Sequence, residues 1–308
     1  MHPAIRLLTT LALLATTLTF STGHALAATC STAFLGPFTA TIVGSGTING
    51  TPGSDVIMGS SGRDVIDGKG GNDVICALGG NDDITLGSGD DLIDGGSGND
   101  TIRAGGGADE LYGDTGNDSL TGQDGNDALY GGEGDDKQVG GAGADYFQDS
   151  GGRDRMYGQG EDDLIGPGPG NDSVSAGPGN DRVMDNGGDN KLVLGSGDDE
   201  ATGGPGSDRI YGESNNDTLN GGDGNDYISG GSGEDSIAPG GGDDVVNAGP
   251  DNDLVTGSDG DDWIGYDMDG NPVREDGVDS LDGGPGIDRI NGGEGGDMIY
   301  GSAGNDLL

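Results

Sequence analysis

The stretch GGDGNDYISGGSGEDSI, residues 221–237, holds two copies of G-G-x-G-x-D-x-U-x, where U is a large apolar residue. Its aspartates, Asp226 and Asp235, stand nine apart, and Ile228 and Ile237 follow each by two. A pattern that recurs at a fixed short period is read as a repeat before anything else. Within one copy the glycines permit positive φ, so the chain can reverse tightly and aim backbone carbonyls at one point. Tyr227, Ile228 and Ser229, after the aspartate, suffice for a short strand whose middle side chain faces one way and whose neighbours face the other. Six turn residues and three strand residues then make one unit, with Ile228 inward and Tyr227 and Ser229 outward.

Extended both ways from this stretch, the beat covers nearly the whole chain. Counted in nines, it meets Asp55, Asp64, Asp73, Asp82, Asp91, Asp100, Asp109, Asp118, Asp127, Asp136, Asp145, Asp154, Asp163, Asp172 and Asp181. After Asn190 it continues through Asp199, Asp208, Asp217, Asp226, Asp235, Asp244, Asp253 and Asp262. The next frame carries Asn271, one residue is then missing, and the beat resumes at Asp279, Asp288, Asp297 and Asp306. Of these 29 frames only two show Asn for Asp, and only Gln138 and Ala201 break the apolar U position. The glycine two before the aspartate is replaced at Glu161, Asn215, Asp251 and Asp269. A disordered acidic chain holds no such register. A collagen triple helix would need glycine directly after the aspartate, where it never stands.

Two nonapeptides complete one coil, with a strand on each side and a turn at each end. Aspartates 18 apart therefore stack along one edge, and those nine apart lie on opposite edges. Asp226 belongs with Asp208 and Asp244, and Asp235 with Asp217 and Asp253. Carboxylate and carbonyl oxygens converging between successive turns are the ligand set of Ca²⁺. Soft ligands are nearly absent, which disfavours zinc and copper. These 27 periodic aspartates are the candidate calcium ligands, and the fold class is all-β, a solenoid of stacked coils.

Charge points the same way. The net charge is −44, from 56 acidic against 12 basic residues. Such a chain repels nucleic acid and anionic membrane and attracts cations. About 27 inter-turn positions, each taking a divalent ion, come close to cancelling that charge. With 72 glycines and 4% aromatics the core is thin. Folding is thus expected to be coupled to calcium, with the ion-free chain disordered.

The frames resemble the RTX (haemolysin-type) calcium-binding repeat over residues 46–308. The resemblance implies a right-handed parallel β-roll of about 14 coils, with multiple Ca²⁺ ions in the turns. It also implies secretion and a non-catalytic role, since the family's toxin, lipase and protease activities live in separate domains for which the chain has no room. One feature departs from the family. RTX exoproteins typically leave the cell by a C-terminal signal, whereas this chain opens with Arg6, an apolar run from Leu7 to Phe20 and an A-x-A pattern ending at Ala27. Residues 1–27 read as a secretory signal peptide. The run is short for a transmembrane helix, so no membrane insertion is expected.

Residues 28–45, with Phe34, Phe38, Ile42 and Val43, read as an N-terminal cap over the first coil. In an oxidising compartment Cys30 and Cys76 are candidates for a disulfide. Both histidines, His2 and His24, fall within the signal, which leaves none for a triad or a zinc-protease motif. A glycosidase needs only two carboxylates, but the periodic turns account for nearly all those present. The irregular segment 265–278 includes Asp267–Asp276, which resembles a Ca²⁺ loop but has Pro272 where an EF-hand needs glycine. It reads instead as a worn repeat. Outward Tyr112 and Tyr130 are 18 apart and should stack, giving a candidate glycan or cell-surface contact beside the plainer reading of β-propensity. Leu307 and Leu308 end in mid-strand, which fits a frayed last coil or end-to-end self-association.

Overall fold

The computed structural model describes residues 41–273 and 276–308. The expected signal peptide, most of the cap and Cys30 lie outside the described residues. The chain divides into Met1–Thr39 and Ala40–Leu308, and the second unit holds the repeats. Among the described residues there is no helix, and as far as Trp263–Ile264 successive strands alternate between two parallel sheets of 15 and 14 strands, with Asp276–Gly277 and Glu294–Gly295 forming a separate pair. As far as Val245–Asn247, each interior strand pairs with the strand two before and two after it. Ile228 faces Ile210 on one side and Val246 on the other, a register of 18 residues. This is a parallel β-roll with two nonapeptides per coil.

The core is a double file of the U residues. Ile210, Ile228 and Val246 come from one sheet and Leu219, Ile237 and Val255 from the other, and all are buried. Parallel ladders leave each inward side chain stacked on the same position of the next coil, so like packs on like. The strands are longer than a three-residue reading allows. Tyr227–Ser232 runs into the first three residues of the next frame, and its burial alternates along the strand. The first turn position is therefore a second inward position. It is mostly glycine, with buried Ala77, Ala104, Ala176, Ala248, Leu86 and Leu194 widening the core locally.

The turns depend on backbone that L-residues rarely adopt. Glu161, Asn215 and Asp251, which replace the fourth-position glycine, take φ of 68°, 79° and 85°. The turn thus imposes its geometry on whatever residue stands there. At Gly224 (φ 143°) a Cβ would also overlap the carbonyl oxygen of Gly206 in the preceding coil. Gly62 occupies the same turn position in the first coil and has nothing within 4 Å. Gly224→Ala should therefore cost at least about 1–3 kcal/mol through its backbone region alone, and Gly62→Ala close to nothing. Calcium-dependent thermal melts of the two variants check this. Equal melting temperatures would mean that turn stacking does not limit stability.

The segment around Asn271 corrects the worn-repeat reading. The Asp253 N–H donates to Asp279 Oδ1, 26 residues on rather than 18. Leu254 likewise pairs with Ser280, and Trp263 with Arg289. Residues near 266–273 leave the coil as a loop in which Asp267 accepts hydrogen bonds from Asn271 and Asp269. Gly270 lies against the Trp263 ring, and Arg289 stacks on that ring at 4.5 Å. Asn271 is thus no turn residue. Asp279 joins the edge of Asp253 and Asp288 that of Asp262, opposite to a straight count of nines.

Cys76 is buried in the strand Val74–Leu78 and is disulfide-bonded.

Candidate metal centre

The parallel register brings the candidate aspartates into two files. In each file the backbone N–H of one aspartate donates to Oδ1 of the aspartate one coil further on. The links Asp208 to Asp226 and Asp226 to Asp244 are both 2.8 Å. Asp217 to Asp235 and Asp235 to Asp253 are both 2.9 Å. One file runs through thirteen such links from Asp55 to Asp297. The other runs through fourteen, from the Gly46 N–H to Asp306. Asn190 keeps its place because its amide oxygen accepts the bond from Asp172 as a carboxylate would. Asp226 and Asp235 lie in different files.

The same fold buries the carboxylates. Those from Asp55 to Asp288 are buried, whereas Asp297 and Asp306 in the last coil are half-buried. One oxygen of each is used by the ladder. The other is not: from Asp73 to Asp244, and again at Asp262, Asp279 and Asp288, Oδ2 is buried with no hydrogen-bond partner. A buried carboxylate oxygen left unpaired is strongly unfavourable and calls for a counter-charge. The first-turn glycines show where one fits. A Cβ on Gly203 would stand 2.5 Å from Asp208 Oδ2 and 2.6 Å from the Gly221 carbonyl of the next coil. On Gly113 it would stand 2.5 Å from both Asp118 Oδ2 and the Gly131 carbonyl. A carboxylate oxygen and a backbone carbonyl thus converge on one small space per turn.

This donor set suits a hard cation. The described residues contain no histidine, and their one cysteine is disulfide-bonded. Calcium takes six to eight carboxylate, carbonyl and water oxygens in flexible geometry, which stacked turns can supply. When bound, such an ion supplies the positive charge that lets these carboxylates stay ionised in a dry setting. Without it the electrostatics are adverse. Burial pushes Asp226 up to about 6. Burial, and then the Asp226 charge, push Asp208 up to about 7. Burial, followed by Asp262 and Asp226, pushes Asp244 up to about 8. The backbone N–H bond to each pulls the other way and loses.

A second ladder, on the residue before each aspartate, has no counterpart in the sequence reading. The Asn99 N–H donates to Asn81 Oδ1, Asn117 to Asn99 and Asp135 to Asn117, in the opposite sense to the first ladder. The preference for Asn and Asp at that position was the available signal. The reading also missed two acids at the first turn position, where glycine is the rule. Asp185 accepts a 2.8 Å bond from the Asn190 Nδ2, so the carboxylate missing from that frame is moved rather than lost. Asp149 is different, because its frame keeps Asp154. The buried amide of Gln138, at a U position, donates to Asp149 Oδ2 at 2.6 Å.

On the outer face Tyr112 and Tyr130 stack, with ring centroids 4.6 Å apart and planes within 5°. Tyr146 continues the row at 5.8 Å. No helix among the described residues is long and apolar enough to cross a membrane.

A family model, the RTX calcium-binding nonapeptide repeat (4 copies), matches residues 43–75, 77–111, 103–137, 139–174, 167–201, 202–237, 239–268 and 275–308. No curated protein matches the chain.

Proposed function

The chain belongs to the RTX calcium-binding nonapeptide-repeat family, and from that premise we propose that it is an extracellular, non-catalytic binder of many calcium ions whose folding is coupled to their uptake. The observation that carries this is the pair of files of buried aspartates, in which, from Asp73 to Asp244 and at Asp262, Asp279 and Asp288, one carboxylate oxygen is tied to its neighbour and the other is unpartnered. The periodic aspartates from Asp55 to Asp306 are the proposed ligands, supplied with carbonyls by the first-turn residues of the next coil. The N-terminal apolar run supports an extracellular setting, as does the disulfide at Cys76. The assignment of the periodic carboxylates to turns supports a non-catalytic role, because the repeat accounts for their placement among the described residues.

Equilibrium dialysis against calcium tests the reading. Tens of ions per chain should bind, on the order of one per inter-turn link. A count of only a few would overturn it. A second reading, an adhesive module stiffened by calcium, draws on the Tyr112–Tyr130–Tyr146 row. A glycan array with and without calcium separates the two, since calcium-dependent capture lost in Tyr130→Ser would favour adhesion.

A further inference from the structure

Two departures from the repeat meet in one place. Gln138 stands where other frames have a core aliphatic, and it is fully buried. Asp149 stands where the frame should open with glycine, 18 residues after Gly131, and it too is buried. The parallel register puts both between the coils that carry Asp136 and Asp154. Asp136, Asp149 and Asp154 each offer an oxygen within 4.8 Å of the other two. A Cβ on Gly131 would overlap Asp149 Oδ2 and stand 2.7 Å from both Asp136 Oδ2 and Gln138 Nε2. In an ordinary cradle, such as that at Gly203, the corresponding space is met by one carboxylate and one backbone carbonyl. Here a side-chain carboxylate stands where the carbonyl of the next coil stands elsewhere.

We propose that Asp136, Gln138, Asp149 and Asp154 form a distinct interior site for a hard cation, binding calcium more tightly than the repeating turns do. The inference rests on the calcium-binding reading and adds to it one specialised station. Acid clustering is not its only support. Gln138 Oε1 is a fully buried amide oxygen with no hydrogen-bond partner, on a side chain whose other end already reaches Asp149. Turning that amide over exchanges Nε2 for Oε1 and presents a neutral oxygen to the same space. Asp136 Oδ2 and Asp154 Oδ2 are likewise buried and unpartnered. Three carboxylates and one amide oxygen suit a hard divalent cation, and their charge exceeds that of an ordinary turn. Asp185 serves as the contrast, since Asn190 has given up its own carboxylate there and the acid count does not rise.

The test is a calcium titration of the full chain against a competing chelator. One ion per chain should be held at free calcium at least tenfold below the midpoint of the rest. Asp149→Asn should abolish that ion and leave the midpoint and number of the others unchanged. The pair Gln138→Leu with Asp149→Gly restores the repeat consensus, so it should fold and lose the tight ion as well. Asp226→Asn, at an ordinary turn, should keep the tight ion. A single class of ions in the wild type, or a tight ion that survives in both Asp149 variants, overturns the proposal. Absence of any calcium uptake by the wild type would instead overturn the calcium-binding reading itself.

Discussion

In EDTA at pH 8 the chain should show no strand signal in circular dichroism, and millimolar calcium should restore it in full. The buried aspartates decide this. Each file places ionised carboxylates at successive coils, linked through the N–H of one and the Oδ1 of the next, with Oδ2 facing a dry space along most of its length. Removing one partner of a buried charge pair is far more costly than losing an exposed one. Here every coil presents the problem on both edges, and the net charge of −44 has few cations of its own to relieve it. The three ion pairs among the described residues, such as Arg153 with Asp135, are exposed, and exposed pairs contribute little. The core cannot compensate, since it is one side chain deep on each sheet and many first-turn positions are glycine. The transition should be cooperative in calcium, because each ion fixes two coils at once. A strand signal that persists unchanged in EDTA at this pH would refute the coupling.

What the residues disclosed in advance stems from periodicity. A nine-residue beat forces aspartates into two files and sends Ile228 inward whatever the details of the turn. Asp226 with Asp208 and Asp244, and Asp235 with Asp217 and Asp253, fell where that count put them. Counting fails where the chain leaves the coil, because an insertion changes which edge every later residue meets. The loop around Asn271 keeps an Asn near the expected spacing, and it takes the pairings of Leu254 with Ser280 and Trp263 with Arg289 to reveal that it sits outside the stack. The first-turn position was read as turn and is in fact the last inward residue of a longer strand. For that reason Asp149 and Asp185 drew no reading at all, and Gln138 stood only as a break in the apolar U position. Their meaning lies between coils, at a separation no single frame displays.

Acid should partly replace calcium. In EDTA, lowering the pH from 8 toward 5 should bring back strand signal that is absent at pH 8. Burial, and then the neighbouring carboxylates, raise Asp163 and Asp244 to about 8 and Asp109, Asp217 and Asp262 to about 7 in the folded chain. In the unfolded chain an aspartate titrates near ~3.9. Between those values the folded state holds more protons than the unfolded one, so the ion-free fold loses stability as pH rises through this window and gains it as pH falls. Below about 4 both states are protonated and there is no further gain. A few groups oppose the trend. Asp135, beside Arg153, and Asp267, in its own hydrogen-bonded loop, are held below their usual range, but they are exposed. They are outnumbered by the two files. Ion binding responds in the opposite sense, because protons and ions compete for the same oxygens, and the calcium concentration at half-saturation should rise as pH falls. Measuring strand signal from pH 8 to 5 in EDTA, and the calcium midpoint over the same range, checks both halves. A flat EDTA profile would show that the buried carboxylates are relieved by something other than protons, and a midpoint that falls with acid would place the ions on groups other than these aspartates.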